Sequence, residues 1–417
     1  MAKGDLSVRV RPDACPGALQ VHEAADGALA RIRLPGGAVT TSQLRELAAC
    51  ADSLGSGVIE LTSRANVQVR GLRSPAAFAT RMAAAGLLPS AAHERVRNIV
   101  ASPLSGREAG GTLDVQPLVE ALDAGLCSRP RLAELPGRFL FALDDGTGDT
   151  TPLGADVTFA AGAADLASPA GAVGVASTAG TADLSSPAGQ GRLLLAGEDT
   201  GLVTRADAAV ALMLAAAEAF LDERHADAPD GEAAAWRIHE LDNGPARITA
   251  RLGIGAATGA GSGGRVSGPA RPRAGRVVQQ DGRVALEVLV PLGRLSPGQA
   301  RALAGCGPVV RLTPWRTAVV LDLSPADADR AERTLTDAGL ITDPDSPWAG
   351  VTSCTGSPGC AKALADVRAD ARRWVEDQDR APGTPVHWAG CERRCGLPRG
   401  QVVQMIATGD GYRQETP

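Results

Sequence analysis

At 417 residues the chain is longer than one ordinary hydrophobic core supports, which points to two or three domains. Its 42 basic and 47 acidic residues are well mixed, the net charge is −5 and aromatic content is 3%, which excludes the basic, aromatic-laced surface of a nucleic-acid binder. No apolar run approaches the roughly 20 residues of a membrane span, and the opening MAKGDLSVRV has no apolar leader core, so a cytoplasmic, reducing setting is expected.

In chain order, the first expected strand covers 29–34. A helix follows over Thr41 to Ala48 (TSQLRELA), with Leu44, Leu47, Ala48 and Ala51 at helical spacing. A further strand is expected within Glu60 to Leu72 (ELTSRANVQVRGL), where Val67 and Val69 alternate. The segment RNIVASPLSG begins at Arg97, and 135–145 (LPGRFLFALDD) and 192–197 read as strands. Residues 206–224 form an Ala-rich helical pattern with Val210, Met213, Leu214 and Phe220 on one stripe.

The first outline then returns. A strand over 284–290 leads to PGQARALA (Pro297 to Ala304) and to RLTPWRTAVVLDL (Arg311 to Leu323), with Ala318 and Val320 in the places of Val67 and Val69. Strand, helix, strand in the same order argues for two similar α/β halves related by duplication. Two low-complexity stretches, 160–191 and 253–275, read as loops or linkers. The second contains a formal GxGxxG at Gly259, Gly261 and Gly264, but Pro269 and Pro272 block the helix a dinucleotide fingerprint requires.

Three arginines stand in Gly/Ser/Pro-bounded segments: Arg64, Arg97 and Arg138. A single arginine is most often a solvated surface residue. Three together could converge on a polycarboxylate, since the guanidinium fork binds carboxylates at two points and stays charged.

The C-terminal quarter carries the strongest chemical signal. Cys354 and Cys360 form a C-x5-C pair, and Cys391 and Cys395 a C-x3-C pair about thirty residues on. Four thiolates on two short loops can supply one ligand to each iron corner of a 4Fe-4S cluster. Gly356, Pro358, Gly359, Gly390 and Gly396 allow close backbone approach. Structural zinc, which prefers C-x2-4-C knuckles, and unligated core cysteines are the alternatives. Cys15, Cys50, Cys127 and Cys306 read as small apolar residues. The five histidines are far apart; His387, nearest the cluster loops, reads more readily as a strand histidine with a hydrogen-bond partner than as a ligand.

With LTSRANVQVRGL, RNIVASPLSG, LPGRFLFALDDGTGD, the C-x5-C loop and VHWAGCERRCG, the chain resembles the nitrite/sulfite reductase superfamily from about residue 10 to about 412, and within it most resembles the precorrin-3B synthases. The resemblance implies an internally duplicated α+β and α/β fold, with two ferredoxin-like half-domains and two larger α/β portions. It divides the chain into 1–85 (first half-domain), 86–252 (α/β portion), 253–275 (linker), 276–342 (second half-domain) and 343–417 (cluster-binding portion). It also implies that Cys354, Cys360, Cys391 and Cys395 hold the cluster, and that Arg64, Arg97 and Arg138 face a tetrapyrrole.

Two departures from the reductases bear on activity. Where they often read L-P-R-K-F-K, this chain has LPGRFL over 135–140, and between its last two cysteines stand Glu392, Arg393 and Arg394 instead of Pro-Asn. The expected activity is therefore the synthase reaction, in which precorrin-3A is hydroxylated at C-20 with O2 and a γ-lactone closes. The alternatives are a sirohaem-dependent nitrite or sulfite reductase and a cluster-bearing electron carrier without catalysis. The synthases are also associated with a further non-haem iron, but no two-His-one-carboxylate set can be assembled from the sequence. Electrons are expected from an external ferredoxin or NADH-dependent reductase, and a monomer is expected because the duplication already supplies pseudo-twofold packing.

Overall fold

The computed structural model describes residues 13, 15–162, 189–228, 235–253 and 274–417. Most of the low-complexity stretch 160–191, and nearly all of the 253–275 linker with its GxGxxG, lie outside the described residues. The chain divides into two compact units, Met1–Cys15 with Ser90–Ala270 and Pro16–Pro89 with Arg271–Pro417. No described helix is long and apolar enough to cross a membrane.

The second unit contains the duplication. Its first half has strands Gly27–Ile32, Ile59–Leu61 and Val67–Leu72 with helices Thr41–Leu54 and Pro75–Ala84; its second has strands Val284–Leu289, Val309–Leu312 and Thr317–Leu323 with helices Pro297–Cys306 and Pro325–Asp337. The repeat extends to individual hydrogen bonds. Thr40 and Gln43 form a capping box at the start of the first helix, Ser296 and Gln299 form one at its counterpart, and each glutamine also donates to the end of the following helix, at Ala85 and Ala338. Each half completes the other's sheet. The short strand Ala38–Thr40 pairs with Val309–Leu312, and Arg294–Leu295 pairs with Ile59–Leu61. The sheets and helices share one apolar core that includes Leu44, Leu47, Ala48, Ala51, Val67, Val69, Leu303, Ala318 and Val320. Each fully buried Leu or Val there contributes roughly 1.5–3 kcal/mol.

The sequence expectation of a continuous strand within 60–72 is corrected to a hairpin. Leu61 leads into a turn closed by Thr62 N–H to the Asn66 carbonyl at 2.9 Å, with Ala65 at φ 57°, before the strand resumes at Val67. Arg64 therefore sits in a turn. The second half repeats the hairpin, with Arg316 at φ 60° in the place of Ala65.

The rest of the second unit is a four-stranded sheet in the order Val351–Ser353, Val386–Ala389, Val403–Thr408, Gly411–Glu415, of which the first three strands are mutually parallel. Helix Val367–Glu376 supplies Val367, Ala371 and Val375 to its core, and Trp388 meets Tyr412 edge-on at 4.9 Å.

The first unit is built on a five-stranded sheet in the order Glu198–Arg205, Gln190–Leu195, Val157–Ala161, Phe141–Asp144, Ile99–Ala101. Helices Gln116–Cys127 and Ala206–Asp227 pack with it, and Phe139 contacts Phe141 and Phe220 at 5.1 and 5.0 Å between rings. The strand expected over 135–145 is confined to Phe141–Asp144. Pro136 and Gly137 form a turn closed by Phe139 N–H to the Pro136 carbonyl at 2.8 Å, so the chain enters the sheet only after it. Fully buried Asp156 accepts from Leu140 N and Ile238 N, both at 2.8 Å, and pairs with Arg237.

Candidate metal centre

The four clustered cysteines all stand in the second unit. Strands Val351–Ser353 and Val386–Ala389 run parallel side by side, with Ser353 opposite Trp388, so Cys354 and the Gly390–Cys391 turn leave the same edge of the sheet. Cys354 N–H donates to the Trp388 carbonyl at 2.9 Å, and Leu364 N–H reaches the Gly390 carbonyl at 2.8 Å, stitching the two loops together. Gly390 N–H in turn points at Cys354 Sγ, 3.1 Å away. A Cβ at Gly390 would stand 2.9 Å from that of Ala363 and 3.5 Å from Cys354 Sγ, so only glycine lets the loops close here.

Burial pushes the Cys354 thiol up, the amides of Gly390 and Gly356 pull it down, and charge on Cys395 and Cys391 pushes it up again. Cys395 and Cys391 thus act on Cys354, and Cys360 acts on Arg70. A buried thiol held beside other cysteines and donor N–H groups suits a cationic metal core. The four-cysteine donor set and the glycine-lined loops fit a cubane with a separate iron for each thiolate.

Arg70 braces this centre. It is buried, grips Asp26 through two bonds of 2.8 and 2.7 Å, and donates to the Gly359 carbonyl beside Cys360 at 2.7 Å. Next to it Arg368 pairs with Glu60 at 2.6 Å. Between Cys391 and Cys395, Arg394 turns back onto the sheet, meeting Gln404 at 3.0 Å and Glu415 at 2.7 Å. Arg394, one of the residues standing in place of Pro-Asn, therefore anchors the loop. His387 is fully buried in its strand, with Nδ1 2.9 Å from Thr352 Oγ1 and Nε2 unbonded. Burial, and then the nearby Arg316, push it down to about 3, against a weak opposing pull from the Cys395 carbonyl, so it is neutral.

The three arginines expected to face an anion have different surroundings. Arg64, in the second unit, is half-buried at the first hairpin turn. In the first unit, Arg97 is buried and held by Asp123 through two bonds of 2.6 Å. Arg138 is exposed and lies over the Trp236 ring at 4.9 Å.

Asp144, Asp145 and Asp149 bring carboxylate oxygens within 4.8 Å of one another, a group the sequence reading passed over although DDGTGD announces it. Asp144 takes bonds from the N–H groups of Gly146, Gly148, Thr150 and Thr151, and Asp145 from Thr147, so these carboxylates organise their loop. Arg70 and Arg316 were also passed over. Strand alternation and the repeat alignment, which puts Arg316 where the first half has Ala65, were the signals available.

Residues 22–77 and 277–338 each match the nitrite/sulfite reductase ferredoxin-like half domain. The chain is 28% identical over 414 residues to a precorrin-3B synthase of Sinorhizobium sp, covering 97% of this chain and 82% of that one. It is 28% identical over 410 residues to a ferredoxin–nitrite reductase of Synechococcus elongatus, covering 93% and 77%. The structure of the Mycobacterium tuberculosis NirA protein superposes with a TM-score of 0.71 at 20% identity, covering 93% of this chain and 73% of that one.

Proposed function

Since the chain has the nitrite/sulfite reductase-like fold with duplicated ferredoxin-like half domains, we propose that it is an oxidoreductase of tetrapyrrole chemistry, and specifically a precorrin-3B synthase. In this reading it uses O2 to hydroxylate precorrin-3A at C-20, with closure of a γ-lactone by the ring-A acetate. Cys354, Cys360, Cys391 and Cys395 hold the 4Fe-4S cluster, which supplies one-electron transfer when bound. Electrons enter from an external ferredoxin or NADH-dependent reductase. Arg64 and Arg138 hold carboxylate side chains of the substrate through their guanidinium forks, while Arg97, gripped by Asp123 at Nε and Nη2, adds positive charge. Among the described residues the metal-type group of three ligand atoms is the aspartate set, which contains no histidine, so no step is assigned to a second, non-haem iron.

The observation that carries the synthase reading is the Leu135–Leu140 turn. A Cβ at Gly137 would stand 2.7 Å from that of Cys15, so a lysine or arginine has no room there. Leu140 is buried in a small apolar cluster with Val100, Ala142 and Ala155. Of the three cations in L-P-R-K-F-K only Arg138 remains. A reductase that reduces a small anion depends on such charges to stabilise its transition state, whereas a synthase needs only to hold a large polycarboxylate. The reductase reading, with sirohaem as prosthetic group, keeps support from the comparable similarity to nitrite reductase.

Titration of anaerobically reconstituted protein with precorrin-3A tests the reading. Arg64→Ala should weaken binding by about 1–3 kcal/mol, the scale of a lost bond to a charged group, and leave cluster absorption unchanged. Arg138→Ala, at an exposed position, should have the smaller effect. Unchanged affinity in both variants, or sirohaem bands in the purified wild type, would count against the synthase.

A further inference from the structure

Arg316 occupies a backbone position that the first half of the duplication fills with alanine. Ala65 N–H closes its turn on the Thr62 carbonyl at 3.2 Å, and Arg316 N–H closes the matching turn on Thr313 at 3.1 Å. Both residues are left-handed, at φ 57° and 60°. The turn asks only for a residue that tolerates this conformation, and alanine satisfies it. The long cation of the second half is therefore not explained by the turn.

Its side chain shows where the charge goes. It runs over Gly293, where a Cβ would stand 2.6 Å from Arg316 Cδ, and Nη2 donates to the Gly396 carbonyl at 3.3 Å, one residue past Cys395. Among the described residues no carboxylate lies within ion-pair distance of it. The acid whose charge acts on it, Glu60, is already paired with Arg368 at 2.6 Å. Burial pushes its guanidinium below the ordinary arginine value. Beside it stands His387, fully buried, so the cation behind the Cys391–Cys395 loop has no carboxylate partner among the described residues. A half-buried cation with no carboxylate partner is retained at such a place when an anion offsets its cost.

We infer that Arg316 is the counter-cation of the cysteine-bound cluster, holding the Cys395 loop and favouring the more negative, reduced state of the group. The inference rests on the cluster assignment above and not on the identity of the tetrapyrrole substrate. Four thiolates outweigh the charge of a 4Fe-4S core, so the bound group is anionic and becomes more so on reduction. A fixed positive charge one residue from a ligand raises its reduction potential.

The test compares R316Q with R316K in full-length protein, using an EPR-monitored redox titration, iron content, and thermal unfolding of the cluster-free form. R316Q should move the oxidised-to-reduced ratio at a given poise about tenfold toward oxidised, which is a midpoint about 59 mV lower, and R316K should stay near wild type. Cluster-free R316Q should unfold at or above the wild-type temperature, because an unpaired cation has been removed. Folded R316Q that cannot retain iron while R316K can would also support the inference. A wild-type midpoint in R316Q would overturn it, as would equal loss of iron from both variants, or an unchanged midpoint with weakened binding of uroporphyrin as a polycarboxylate probe. These shifts occurring without hydroxylation of precorrin-3A would sink the synthase reading and leave Arg316 in this role; a wild type that assembles no cluster would sink both.

Discussion

Cys354→Ser, Cys360→Ser, Cys391→Ser and Cys395→Ser should each abolish or severely degrade the iron–sulfur cluster and the activity together. Each removes a thiolate from a set in which the loops are already fixed, by the Cys354 N–H bond to Trp388 and the Gly390 N–H bond to Cys354 Sγ at 3.1 Å. A neighbouring residue cannot move in to replace it. A serine hydroxyl is a harder, less acidic donor and a poor substitute for thiolate at iron. Cys306→Ser is the control: that cysteine donates to the Ala302 carbonyl at 3.2 Å at the end of its helix and stands apart from the loops. Iron and acid-labile sulfide analysis, with visible absorption, decides the matter. Retention of a full cluster by Cys395→Ser alongside loss from Cys306→Ser would reverse the ligand assignment.

Gly37→Ala should destabilise the second unit on the order of 4 kcal/mol or prevent its folding, at the exceptional end for a single substitution. A Cβ there would stand 1.9 Å from the Leu312 carbonyl oxygen, which is backbone and cannot swing away, and the residue has φ +70°. The clash falls where strand Ala38–Thr40 joins the other half's sheet, pairing Ala38 with Arg311. Breaking that contact unpairs a strand and opens the shared core. Gly57→Ala separates the two causes, because Gly57 has φ +76° but nothing within 4 Å of its Cβ position. It should cost only about 1 kcal/mol, the backbone penalty alone. Urea unfolding of both variants gives the comparison, and equal stabilities would show that the close approach between the halves carries no weight.

The duplication was legible because the same physical demands recur at the same spacing. Leu44, Leu47, Ala48 and Ala51 form a helical stripe, all fully buried, and the Leu-Thr openings at 61 and 312 mark the two hairpins. What the sequence hid was the hairpin turn itself. Ala65 and Arg316 carry no local sign of left-handed backbone, since neither is glycine or asparagine, and the alternation of Val67 and Val69 reads smoothly back through Leu61. The exchange of short strands between halves was hidden for a different reason: two- and three-residue strands are too short to show a period.

At the site, the cysteine spacing marked two local pairs, and the loops that carry them leave the same edge of the sheet. The partners of the arginines could not be read, because an ion pair such as Arg97 with Asp123 joins a strand approach to a helix 26 residues away. Charge alone does not say whether a guanidinium faces a carboxylate of its own chain. Arg70, Arg316 and Arg394 became visible as supports of the cysteine loops only when the sheets brought them there.

The synthase assignment is tested most directly by supplying precorrin-3A, a reducing system and 18O2 to the reconstituted wild-type protein and following the tetrapyrrole by mass spectrometry. The expected result is a hydroxylated lactone bearing one 18O atom per molecule, formed only under O2 and lost in the cysteine variants. Unlabelled, unchanged precorrin-3A, together with reduction of nitrite or sulfite by protein that carries sirohaem, would contradict it.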